Sequence, residues 1–348
     1  MQTTSAIIPV YNCLDYLENC TASILAVNEN CRDPLVKEII LVDDGSTDGS
    51  SELCDRISND NLNNVCSVKV IHQENKGVSA ARNKGLSVAE GTFVLFADCD
   101  DSLDSQKLAE LLQSIDSDTN MDMAVFGMSF DYYSGKRIYR TDLMLPGFEG
   151  KLRSEEFKVI LPELFASNML SSICNRLVRR RVIEDASLRL REDMFLYEDL
   201  EFSLRVIEQC KTIAFYREAI YHYRQSSDEG NAVRRLQRIE HIPQLVDKIE
   251  DALVPLTSPS KIILPLYMTL AREKISAASK AGIRTVCGDF KEWIDKHELK
   301  NEIESSAQAM SYYNGNVNRI ILRRMKSKVR HRTANWVKKN FGDFRKRK

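Results

Sequence analysis

The apolar run Phe93-Val94-Leu95-Phe96-Ala97 breaks directly into Asp98-Cys99-Asp100-Asp101. A short, wholly apolar run reads as a strand buried on both faces, and in an open α/β sheet ligands gather at the C-terminal ends of such strands. Three carboxylates at that position constrain the chain strongly. Asp98 and Asp100, one residue apart, can hold a hard divalent cation, Mn²⁺ or Mg²⁺, through oxygen ligands and leave positions open for substrate phosphates. The plain alternative is a polar turn in which Asp101 caps the next helix.

The first half of the chain alternates strand and helix signals. Ser5 to Val10 is β-rich and ends at the turn Tyr11-Asn12. Leu14 to Val27 has helical spacing of Leu14, Leu17, Ile24 and Leu25. Glu38 to Val42 is a second buried strand, ending in Asp43-Asp44-Gly45-Ser46. Thr47 to Ser58 reads as a helix with Asp48 as its cap. Val68 to His72, a helix over 77–89 entered through Gly77, and a strand from Thr92 to Ala97 complete the series. This order predicts an α/β fold, a mostly parallel nucleotide-binding sheet flanked by helices and joined by right-handed crossovers. Further β signals run from Met123 to Phe130 and, less regularly, from Asp131 to Pro146. Helices follow over 154–166 and 198–208, then a strand over 213–223. After about residue 232 the pattern is helical. Ser226-Ser227-Asp228-Glu229-Gly230 marks the change, so the expected division is 1–230 and an α-helical C-terminal region, 231–348.

Composition excludes several classes. Hydrophobic residues at 43% and charged residues at 28% are those of a globular protein. The nine cysteines are odd in number and scattered, with no Cys-x-x-Cys. That argues against a zinc site or a disulfide framework and for a reducing compartment. No signal-peptide pattern or membrane span is evident: Ala6 to Val10 is too short and lacks a basic flank. The net charge of −1 hides an asymmetry. From Arg319 to Lys348 there are 13 Lys or Arg and one acid, a charge of +12, so residues 1–318 carry −13. Over 314–348 Ile320, Ile321, Leu322, Met325, Val329, Trp336, Val337 and Phe341 interleave with the bases. This basic amphipathic pattern suits an anionic membrane surface. Nucleic acid would be attracted by charge alone, but no recognition motif supports it.

Four blocks in order then carry a resemblance. Ile7-Ile8-Pro9-Val10-Tyr11-Asn12, Val42-Asp43-Asp44-Gly45-Ser46-Thr47-Asp48, Asn75-Lys76-Gly77-Val78-Ser79-Ala80-Ala81-Arg82-Asn83-Lys84-Gly85, and Phe96-Ala97-Asp98-Cys99-Asp100-Asp101 resemble the motifs of family 2 glycosyltransferases. Tyr197-Glu198-Asp199 looks like the family's late acidic motif. The resemblance covers roughly residues 3 to 225. It implies a GT-A fold that moves a sugar from a nucleotide-sugar, with inversion, to a saccharide or lipid-linked saccharide.

The resemblance also implies roles. Pro9 and Tyr11 would line the nucleoside pocket. Asp44 would accept a hydrogen bond from a base imide N–H, which favours uridine or thymidine, while Asp43 holds the loop. Lys76 and Arg82 would lie near the nucleotide, although Arg82 suits equally a structural partner of Asp98 or Asp44. Asp98 would contact ribose or metal waters and Asp100 the metal itself. Asp199 would be the base that takes the acceptor proton, with Glu198 beside it, against the plain reading of an acidic helix start. Arg224, Ser226 and Ser227 are candidates for the diphosphate. His222 is either a third metal ligand or a packed side chain. The donor expected is a UDP-sugar, with a dTDP- or GDP-sugar or a non-catalytic nucleotide-sugar-binding scaffold as alternatives. The expected setting is the cytoplasmic face of a membrane, in bacterial surface polysaccharide synthesis.

Overall fold

The computed structural model describes residues 2–225 apart from 30, 32, 62–65 and 136, and, with further gaps, residues 242–320. Ser226, Ser227 and most of the basic segment, from residue 321 on, lie outside the described residues. The chain divides into two compact units, residues 1–228 with 247–257, and residues 229–246 with 258–348. Segment 247–257 returns to the first unit because Ile249 and Leu253 are buried and Lys248 Nζ donates to Asp193 Oδ2 at 2.7 Å.

The first unit is built on one sheet. Strands β1 (Thr4–Val10), β2 (Val36–Asp43), β3 (Ser67–His72) and β4 (Phe93–Phe96) run parallel in the order β3-β2-β1-β4. β1 and β4 are buried throughout, as continuous apolar strands covered on both faces must be. The connecting helices are α1 (Leu17–Leu25), α2 (Ser50–Asp60) and α3 (Val78–Leu86). The sheet continues from β4 through β9 (Arg176–Arg179), β6 (Met123–Ser134) and β10 (Thr212–Gln225) to the short β5 (Ser102–Leu103). β9 is antiparallel to β4 and to β6, whereas β6 and β10 are parallel to each other. β7 (Arg137–Met144) pairs with β6 as a hairpin, and β8 (Gly150–Arg153) with β10. Helices α4 (Ser105–Ile115), α5 (Ser154–Ala166), α6 (Arg180–Asp185) and α7 (Glu198–Gln209) complete the unit.

Three local expectations shift. Helix α1 begins at Leu17, because the turn before it is pinned elsewhere: Cys13 N–H donates to Ser50 Oγ and Leu14 N–H to Asp48 Oδ2. Asp48 therefore ties two loops as well as accepting the Ser50 N–H at the start of α2. The irregular β segment over 131–146 divides into the end of β6 and the strand β7, which pair from Ser134↔Arg137 to Met128↔Met144 with a register shift between Tyr132 and Tyr133. Asp104, not Asp101, caps α4 by accepting the Lys107 N–H at 3.0 Å.

Close packing under the site leaves no room for added carbon. A Cβ on Gly91 would lie 2.5 Å from Ser5 N and 2.8 Å from the Thr4 carbonyl carbon. Both neighbours are β1 backbone, held on two sides by β2 and β4. Gly91→Ala is therefore expected to destabilise by about 1–3 kcal/mol, the usual cost of overpacking. A urea unfolding midpoint equal to wild type would show that β1 gives way more easily than this.

Helix α8 spans Ile242–Leu253 and crosses the division; in the second unit, helix α9 (Lys280–Lys296) supplies Phe290 and Trp293 to an aromatic cluster. Tyr267 stacks on Trp293 with ring centroids 4.1 Å apart, and Tyr312 meets Phe290 edge-on at 5.9 Å. No helix among the described residues is long and apolar enough to cross a membrane.

Candidate active site

The loop after β4 and the start of α7 meet at one buried guanidinium. Arg82 projects from α3 and is 3% exposed. Its Nη2 donates to Asp98 Oδ1 at 2.7 Å and its Nη1 to Asp199 Oδ1 at 2.8 Å. One fork thus joins the carboxylate at the end of β4 to a carboxylate 101 positions later in the chain. Burial opposes the charge on Arg82, but Asp199 and Asp98 outweigh it and hold the guanidinium firmly protonated. Its Nε is buried without a partner, so the group is committed to these two acids rather than shared around. The structural partnership with Asp98 that the sequence left open is present, and Asp199 is an unforeseen second partner.

The D-x-D loop is fixed from the other side by Tyr221 of β10. Asp98 N–H donates to the Tyr221 hydroxyl oxygen at 3.0 Å, and that hydroxyl donates to Asp101 Oδ2 at 2.6 Å. Asp101 Oδ1 accepts the Arg224 N–H at 2.7 Å. Burial, with the charges of Asp98 and Asp100, pushes the Asp101 carboxyl up to about 8. The expected helix cap is therefore a buried tie between the D-x-D loop and β10. Tyr221 was missed in the sequence, although it directly precedes His222 in the same strand.

Asp100 is exposed, and no hydrogen bond engages its carboxylate among the described residues. Desolvation and the neighbouring Asp98 charge raise its pKa, while Arg224 lowers it. Among the described residues Asp98 is engaged at Oδ1 and not at Oδ2. Among the described residues no cluster of three His, Cys, Asp or Glu forms a ready metal cage. Two free carboxylate oxygens of this kind fit a hard divalent ion whose remaining ligands are water and diphosphate oxygens. Cys99 between them turns toward the Cys13 thiol, which it raises.

Arg224 is held by ring faces. Its guanidinium carbon lies 3.6 Å from the Tyr133 ring centroid and 4.6 Å from that of Tyr16. No side-chain hydrogen bond ties it down among the described residues, so its donors are free beside Asp100. His222 is packed: its Nδ1 is 2.7 Å from Ser129 Oγ and 3.4 Å from Asp131 Oδ2, apart from the D-x-D.

At the end of β1, Pro9 is buried within the strand and Tyr11 stands 51% exposed. Asp44 is buried and turned into the loop after β3. It accepts from Gln73 Nε2 and Lys76 N at Oδ1 and from Gly77 N at Oδ2, all within 2.8 Å. Gly77 takes φ +90°, which suits glycine, so that its N–H can reach that oxygen. Three of the four lone-pair positions are thus occupied by the loop after β3, which leaves one on Oδ2. Asp43 accepts the Ser46 N–H at 3.0 Å and pairs with His72 at 2.9 Å, holding its loop as expected. The Lys76 side chain is exposed.

Asp199 sits in the first turn of α7, where the helix dipole favours an anion. Its entry is unusual. Tyr197 precedes the helix at φ +64°, a conformation rare for a residue with a side chain. Burial raises the Asp199 pKa against the lowering by Arg82 and Arg176 and the backbone of Ile173; the net direction is up. Burial and the Asp199 charge push Glu198 up to about 7.

A parallel nucleotide-binding half-sheet, a D-x-D at its switch point and a distant carboxylate drawn to it define a GT-A type protein. Residues 5–186, just over half the chain, match the family described as Glycosyl transferase family 2, and the chain belongs to that family. It is 30% identical over 224 residues to an uncharacterized glycosyltransferase, EpsJ, of Bacillus subtilis (strain 168), covering 64% of this chain and 61% of that protein. It is 31% identical over 225 residues to a cholesterol galactosyltransferase of Borreliella burgdorferi, covering 62% and 58%. The chain thus spans about three fifths of the length of these relatives. Residues 1–349 of S. aureus TarS in complex with UDP-GlcNAc share the fold, with a TM-score of 0.55, 17% identity and 92% of each chain covered.

Proposed function

We propose that the protein is an inverting glycosyltransferase that uses a UDP-sugar and a divalent cation. The observation that carries this reading is the Arg82 bridge, which sets the D-x-D and a candidate base on either side of one charge. Asp199 takes the proton of an acceptor hydroxyl. The acceptor oxygen then bonds to the anomeric carbon, the bond from that carbon to the diphosphate oxygen breaks, and the electron pair leaves with the nucleoside diphosphate. Asp100, with Asp98, would hold Mn²⁺ or Mg²⁺, which supplies charge neutralisation on the leaving diphosphate. Arg224 offers its free donors to the same phosphates. Tyr11 stacks on the base, with Pro9 beneath it. The TarS complexes with UDP and UDP-GlcNAc and the teichoic-acid biosynthesis proteins among the relatives support a UDP donor and a surface-polymer acceptor. The basic amphipathic sequence pattern over 314–348 supports a reaction at an anionic membrane surface, where a lipid-linked acceptor would reside.

The test is release of nucleoside diphosphate from UDP-, dTDP- and GDP-sugars with Mn²⁺, Mg²⁺ or EDTA, followed where silent by calorimetry with UDP and Mn²⁺. Metal-dependent release from a UDP-sugar is expected, with at least about 100-fold loss in Asp100→Ala. Equal turnover in EDTA would remove the metal from the mechanism, and no UDP binding would remove the donor.

A further inference from the structure

Beside the reacting centre lies a second cavity of about 580 Å³, within the size range of small-molecule sites, formed where the β6–β7 hairpin meets β10 and β5. Alternation along β6 sends Ser129, Asp131 and Tyr133 to one face. The register sets His222 beside Ser129, and Arg224 and Thr141 beside Asp131.

The polar floor is organised from below. Asp131 is 6% exposed and accepts from Thr141 Oγ1 at 2.7 Å and from Ser129 Oγ at 3.1 Å. Those contacts fix the carboxylate and the serine. The serine in turn fixes His222 through Nδ1, so that Nε2 is left without a partner among the described residues. The walls are of a different kind: Tyr133, Ile138, Leu143 and Leu145 line the same space. Two further features shape it. β10 slips register between Tyr216 and Ala219 and again between Ala219 and Tyr221, a bulge that puts Arg217 and Glu218 at the rim. Gly127 makes the close approach possible, since a Cβ there would lie 2.4 Å from Leu145 Cδ2 and 2.9 Å from the Glu218 carbonyl oxygen.

An oriented imidazole and hydroxyls against apolar and aromatic walls match a ligand with polar edges and an apolar face, which is the chemistry of a pyranose ring. Rim charges of both signs, Arg217 with Glu218 and Lys107, disfavour a simple anion site. The cavity also shares a wall with the reacting centre, because the Tyr133 ring that lines it carries the Arg224 guanidinium beside Asp100. We propose that this cavity is a saccharide subsite that holds a sugar unit of the acceptor next to the one that reacts. It rests on the transferase reading and adds a site that fixes acceptor register and length preference.

Ligand-observed saturation-transfer NMR on the full chain with UDP present tests it. The probes are the methyl glycosides of glucose, galactose and N-acetylglucosamine, with inorganic phosphate as a competitor. At least one glycoside is expected to receive saturation, reduced about five-fold in His222→Ala, as loss of one hydrogen bond implies. Leu143→Glu should reduce it similarly. Leu143 is 62% exposed at the rim, so this variant keeps its fold even where His222→Ala does not. The UDP signal should be unchanged in both. No contact from any glycoside, contact insensitive to both variants, or displacement by phosphate overturns the subsite. Loss of UDP binding in the wild type, with the glycoside signal intact, instead overturns the transferase reading and leaves the cavity as a sugar site.

Discussion

Arg82→Ala is expected to destabilise the protein by about 3 kcal/mol and to abolish transfer. The variant strands two carboxylates, Asp98 and Asp199, beside each other without their shared counter-charge. Their side chains retain 32% and 20% exposure, so water takes up part of the lost interaction and the loss falls at the lower end of what buried pairs show. Arg82→Lys keeps the charge but not the fork. One ammonium cannot reproduce two guanidinium contacts fixed 2.7 and 2.8 Å from separate acids, so activity should fall further than stability. A double-mutant cycle isolates the coupling. Asp199→Asn removes one of the stranded charges, so Arg82→Ala should cost less stability in that background than in the wild type. Urea unfolding of the four proteins measures this, and strictly additive losses would mean that the bridge does not couple the two acids.

The same bridge shows where sequence patterns stop. The four parallel strands were legible as short β-rich runs that break into polar or turn residues, and their ends fell within two residues of the observed ones. β7 was read only as irregular β. Its apolar residues Ile138, Leu143 and Met144 do not alternate cleanly with polar ones, since one edge of the hairpin lines a cavity rather than the core. Local motifs also identified Asp98, Asp100 and Asp199 as a group. What they could not supply was pairing. Arg82 lies 16 and 117 positions from its two partners, and only the packing of α3 against β1 brings them together. The loop contacts of Asp44 were hidden for a related reason. A carboxylate at a strand end looks available in sequence, and the three donors that occupy it include two backbone N–H groups, which no residue type announces.

Tyr221 had a fainter signal. In a strand whose alternate residues face opposite ways, Tyr221 and Tyr223 share a side, and the one nearer the sheet interior is the one whose hydroxyl must find a partner when buried. His222, the residue between them, drew attention as a metal ligand for its chemistry. Alternation alone sends it to the other face, where it meets Ser129 and Asp131.

Asp199→Asn should lower kcat/KM by about 10²- to 10⁴-fold, the contribution of a positioned general base. The pH dependence distinguishes a base from a merely structural acid. Burial raises the Asp199 pKa, and a base works only when deprotonated, so wild-type kcat/KM should fall as the pH drops through the raised range of the Glu198–Asp199 pair. Burial holds both acids above the usual carboxylate range, so that acid limb lies above the pH of a free carboxylate. Glu198→Gln removes a like charge beside the base, which eases ionisation of Asp199. The limb should move to lower pH with the plateau at high pH retained. In Asp199→Asn the limb should disappear along with most of the rate. A limb that survives this substitution would assign the proton transfer to another group. A Glu198→Gln variant that loses its plateau would give Glu198 the base's role, on the adjacent position of the first turn of α7.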